Sequence, residues 1–212
     1  MKGVRFGEYH SYLDFDLILT SYSIGEANPK TETVDIPGAD GALDLTEYFG
    51  DVKFKNRALS FTFAIIGKAS EFPTRLSALQ DAIGGRKLRI VLDDDPDFYY
   101  VGRVTVNEWK SKPRVGSLTI DCDCEPYKYK ASETVVVSRI TGRGSVAYQN
   151  LRKRVTPTFT TSAPVTIEYG EASIDVEAGE FTIPSIEFAQ GQNLVTYAGN
   201  AVVTVRYREG GL

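Results

Sequence analysis

Very little of the usual apparatus of chemistry is present in this 212-residue chain, which holds one histidine, one tryptophan, one methionine and two cysteines. A Ser-His-Asp or Cys-His catalytic set would have to recruit His10, and no nucleophile lies near it in the sequence. A lone histidine close to a terminus reads as incidental to function. Zinc is excluded, because Cys122 and Cys124 would need further Cys or His ligands and only His10 exists. No Gly-rich phosphate loop opens a helix, and the acidic run 93–97 lacks the spaced oxygens and distal Glu of a calcium loop. No cofactor is expected. Long apolar runs are missing as well: nothing approaches the roughly 20 residues needed to span a bilayer. Asp14 and Asp16 interrupt the only run that could serve as a signal-peptide core, so the expectation is a cytosol-like site of synthesis without membrane insertion.

Charge excess is also absent. Residues 1–130 carry 17 basic against 20 acidic side chains and residues 131–212 carry 7 against 8. Binding nucleic acid through phosphate neutralisation needs a concentrated positive face, and the largest basic run is only Arg152-Lys153-Arg154.

What the sequence has is period-2 alternation, the mark of a strand with one wet face. It appears in 13–19 (Leu13, Phe15, Leu17, Leu19), in Leu59, Phe61, Phe63 and Ile65, in Leu88, Ile90 and Leu92, in Tyr100, Val104 and Val106, and in Leu118, Ile120, Cys122 and Cys124. The two cysteines share a strand face, too close along one strand for disulfide geometry, and read as buried thiols. One segment has helical spacing instead: Phe72, Leu76, Leu79 and Ile83, with Ser70 as N-cap, Pro73 in the first turn and Gly84 after the end. Between Ile24 and Asp51 the alternation loosens into a Gly, Pro and Asp-rich excursion with Pro37-Gly38 and Asp40-Gly41 turn pairs. Loops this long are usually functional or held by a partner, and this one is a natural arm for a neighbouring subunit.

Beyond Glu133 the strands shorten, near 134–140, 158–161, 165–169, 173–177, 181–188 and 201–208, with turn signals every 8 to 12 residues, as in a sandwich. The fold expected is mainly β in two domains, 1–130 and 131–212. Tyr148, Tyr169, Tyr197 and Tyr207 are the aromatics available to a sugar site in the second, but read first as sheet or core residues.

The linear order of these features resembles the distal tail proteins of siphophages and related prophages. The segments that carry the likeness are GVRFGEYHSYLDFDLIL, IPGADGALDLTEYFG, RALSFTFAI with the helix after it, DCDCEPYKYK, and in the second half GQNL and VTVRYREGGL. The resemblance implies an N-terminal belt domain, a β-sandwich with one helix and a protruding arm, followed by a galectin-like sandwich. It implies a non-enzymatic homo-hexameric ring at the virion tail tip, assembled in the host cytoplasm. Its partners would be the tail-tube protein, the tape-measure protein and the tail-associated lysin or tip protein, with receptor-binding or other baseplate proteins as further contacts. Within the arm, Ile36, Pro37, Gly38, Asp40, Gly41, Leu43 and Tyr48 are the expected inter-subunit residues. A carbohydrate-binding sandwich for cell-wall attachment is the alternative, and a glycosidase or peptidase a distant third.

Overall fold

The computed structural model describes residues 2–48, 50–111 and 115–212, so that Phe49 of the IPGADGALDLTEYFG segment lies outside the described residues. The chain forms two compact units, Met1–Pro126 and Tyr127–Leu212. Both are dominated by antiparallel strands, and the fold is mainly β as expected. No helix among the described residues is long and apolar enough to cross a membrane.

In the first unit the elements run β1 (Val4–Phe6), β2 (Tyr9–His10), α1 (Ser11–Phe15), β3 (Ile18–Ile24), β4 (Thr33–Asp35), β5 (Ala42–Asp44), β6 (Arg57–Ile66), α2 (Phe72–Ile83), β7 (Lys87–Leu92), β8 (Phe98–Ser111) and β9 (Val115–Cys124). The sheet order is β2-β1-β7-β8-β9-β6-β3, with β4 and β5 apart as a ribbon of their own. Register explains the core: Leu59 faces Cys122, Phe61 faces Ile120 and Phe63 faces Leu118, while Val104 and Val106 continue the same rows onto β8. All but Val106 are buried, because each alternate residue of a pleated strand points to one face. Phe72, Leu79 and Ile83 of α2 join this cluster, and Phe72 meets Trp109 edge to face at 5.3 Å.

Burial pushes both thiols up, Cys124 to about 12, and both cysteines are free. The helix spans the expected residues, but its N-cap is Glu71, which makes no side-chain cap bond, and Ser70 sits instead in a 3-10 turn, Ala69–Glu71.

The run 13–19 is not the strand that its alternation suggests. Residues Ser11–Phe15 form α1, and Leu13 points to solvent. The cause is His10, which is buried and structural. Its Nδ1 accepts the backbone N–H groups of Tyr12 and Leu13, both at 3.2 Å, and the Asp14 carboxylate accepts the His10 N–H in return at 2.6 Å. With Nδ1 used as an acceptor, Nε2 carries the proton and donates to Asp93 at 3.1 Å. Asp93 also accepts the Gly3 N–H, so the acidic turn between β7 and β8 locks the N-terminal strand. A left-handed Asp16 (φ 54) ends α1 and delivers Leu17 to the core.

The second unit comprises β10 (Lys128–Lys130), β11 (Thr134–Asn150), β12 (Thr158–Thr161), β13 (Val165–Tyr169), β14 (Ala172–Val176), β15 (Gly179–Thr182), β16 (Gly191–Tyr207) and β17 (Gly210–Gly211). β10 pairs with β17, which ties the residues before Lys130 to the C-terminal end. β16 pairs along its whole length with β11, and its opposite edge is shared between β13 and β12. The ladder runs through Gly142 opposite Gly199, where turn-like composition hides a continuous pair of long strands. The strand expected over 181–188 stops at Thr182, since Pro184 has no N–H to pair and Ile183 to Ile186 close a turn.

Candidate interface: the arm hairpin

The excursion between Ile24 and Asp51 is a ribbon. It continues the β3–β6 pair outward through Gly25 N–H to Ala58 O, Lys55 N–H to Asn28 O and Lys30 N–H to Lys53 O, then through Leu45 N–H to Glu32 O into β4–β5. Fully extended, such a segment reaches on the order of 40 Å. At its tip Ala39 N–H donates to Ile36 O, with Pro37 and Gly38 at the centre of the turn. Gly38 has φ +85, which fits a type II turn and suits glycine there.

Every residue of β4 and β5 is exposed. Val34 faces Leu43 across the pair, while Thr33 faces Asp44 and Asp35 faces Ala42. Alternation therefore gives the hairpin one apolar side (Val34, Leu43) and one acidic side (Asp35, Asp44). The Thr46 hydroxyl and N–H hold the Asp44 carboxyl below its ordinary range, fixing the negative charge. An isolated two-stranded hairpin in water is marginal at best, and exposed apolar side chains on it have no core of their own to fill. Such an element is suited to docking on a surface outside itself.

Of the expected contact residues, Ile36, Pro37, Gly38, Asp40, Gly41 and Leu43 are brought together on this tip. Tyr48 is not: it lies beyond β5 in a separate turn closed by its own N–H to Leu45 O, and is also exposed. Val34, Asp35 and Asp44 belong to the same tip and escaped the sequence reading. The apolar-then-acidic pairs Val34-Asp35 and Leu43-Asp44 were the available signal.

Of Tyr148, Tyr169, Tyr197 and Tyr207, all but the half-buried Tyr169 are buried and offer no stacking face. Tyr148 and Tyr197 are fully buried, their hydroxyls 2.7 Å apart. Tyr207 is buried and donates to Gln149 O, and Tyr169 donates to Asn193 Oδ1 at 2.7 Å. Burial pushes the Tyr148 and Tyr207 hydroxyls up to about 12, and Tyr197 higher still. These rings are packing elements.

No family model matches the chain, and no curated protein matches it in sequence. Among solved structures, the crystal structure of SPP1 Dit (gp 19.1), described as a paradigm of hub adsorption apparatus in phages infecting Gram-positive bacteria, superposes with a TM-score of 0.70. The identity is 13%, and the match covers 98% of this chain and 99% of that one. From its first strand to its last, this chain therefore has the fold of a phage Dit protein.

Proposed function

We propose that the chain is a structural distal tail protein, the baseplate hub of a long-tailed siphophage or prophage. Six copies close into a ring joining the tail tube to the tail-tip or lysin protein, with no bond made or broken. The observation that carries this reading is the near-complete coverage in both directions of the Dit fold. A match over both units, with their connection included, is far more restrictive than one sandwich resembling another. The arm supports it independently, since head-to-tail contacts that close on themselves are the simplest way to build a hollow adaptor from one chain.

The reading places the protein at the virion tail tip, after assembly in the host cytoplasm beside the tail-tube and tape-measure proteins. Light scattering and negative-stain microscopy of the purified chain test it. Six-membered rings are expected at high protein concentration, and antibodies should label the tail tip of virions. Monomers at every concentration, combined with unlabelled tails, would refute it.

A further inference from the structure

The first unit carries a pocket that its own core does not fill. It lies where α1 and α2 meet the sheet, has a volume of about 120 Å³, and reaches down to buried Leu17, Leu79 and Leu118. Phe15 and Trp109 are among its walls. A cavity of about 150 Å³ holds a benzene ring, so this one takes a single apolar side chain and little more. The local chain explains why it stays open. Left-handed Asp16 ends α1 and turns Leu17 inward. The helix α2 sends Phe72, Leu79 and Ile83 into the core and presents Ala78, with no more than a methyl group, to the pocket from its exposed flank.

The rim is polar and unfinished. Asp14, Asp16 and Arg75 border the pocket. Arg75 Nη2 reaches Glu71 at 3.5 Å, but its buried Nη1 lies 3.8 Å from Asp16 and has no hydrogen-bond partner among the described residues. That separation is too long for a hydrogen bond, and a buried donor left unpaired is costly. A peptide group laid across the rim would complete it, its carbonyl accepting from Nη1 and its N–H donating to the Asp16 carboxylate. With Glu71 counted in, three acids stand at the rim against one base, which favours basic residues beside the inserted side chain. The arm of another copy is a poor fit, because residues 31–52 carry six carboxylates and no lysine or arginine.

We propose that this pocket anchors an extended segment of an unlike protein, with one phenylalanine ring inside it and basic residues on either side. An aromatic anchor is favoured because Phe15 and Trp109 offer it ring contacts. The inference does not depend on the ring of subunits, so its failure leaves the hub reading untouched.

Trp109 is the only tryptophan of the chain, so its fluorescence reports occupancy of the pocket. The probe is a blocked pentapeptide with phenylalanine between two pairs of lysines, titrated into the full chain. A saturable change is expected with a Kd on the order of 1 mM, the strength that one well-filled side-chain pocket gives. Replacing the phenylalanine of the peptide by alanine should weaken binding at least about tenfold, and replacing its lysines by glutamates at least about fivefold at low salt. On the protein, A78F fills the pocket from an exposed position and R75A removes the rim donor. Each should weaken the peptide at least about tenfold, with far-UV circular dichroism and melting curves showing that both remain folded. The assignment fails if no saturable response appears, if the glutamate peptide binds as tightly as the lysine one, or if both protein variants bind like the unaltered chain. Benzyl alcohol binding as tightly as the peptide, with R75A without effect, would reveal a cavity for small solvents alone and would overturn it as well.

Discussion

In the proposed ring, replacing Val34, Ile36 and Leu43 by threonine should weaken the assembly without weakening the subunit. Threonine is β-branched, a shape that strands favour, so the hairpin retains its propensity while its apolar side becomes polar. In the single chain Val34, Ile36 and Leu43 are 45%, 48% and 49% exposed, so about half of each is free for the proposed contact to cover. Full burial of such a side chain stabilises by about 1.5–3 kcal/mol, which leaves roughly 1 kcal/mol apiece here. Threonine keeps part of that, so the triple variant should lose about 2 kcal/mol per contact, or roughly 30-fold in its equilibrium constant. None of the three touches the core of the first unit, so the subunit's own unfolding free energy should move by no more than about 0.5 kcal/mol. Light scattering over a concentration series reads the first quantity, and urea unfolding of dilute protein reads the second. Rings that persist unchanged in the triple variant would show that the hairpin is not the contact. A subunit that unfolds would show that its apolar side serves the chain's own fold.

Y148F or Y197F should each cost about 1–3 kcal/mol in urea unfolding, since each leaves a buried hydroxyl without its partner, whereas the double variant should cost no more than either alone; additive losses would contradict the pairing. Both hydroxyls titrate above the ordinary tyrosine value of 10.0, so the fold favours their neutral forms. That stability is intact below pH 10 and falls as pH rises toward about 12, by roughly 3 kcal/mol for Tyr148; a flat unfolding free energy over that window would contradict it. H10A should destabilise the first unit by about 3 kcal/mol, through loss of the α1 cap and of the bond to Asp93, with H10N recovering only the capping part. Cys122 and Cys124 should react with thiol reagents only as fast as the protein opens, because burial both shields them and disfavours the thiolate; rapid labelling of native protein would show the β9 core to be open.

The sequence alone determined the β class, the helix 72–83 and the buried rows of β6 and β9, because in these segments local propensity and burial pattern agree and one face is fully covered. The existence of an arm was equally legible, since Gly, Pro and Asp marked where no core could form. Tertiary structure decided the rest. Whether 11–15 coils or extends depended on His10, whose ring is held by Asp93 from a turn 83 positions away. The length of β11 and β16 depended on strands pairing through glycines that locally read as turns. The two sides of the hairpin became visible only with the pairing of Val34 with Leu43 and of Asp35 with Ala42, because cross-strand register decides which side each residue takes.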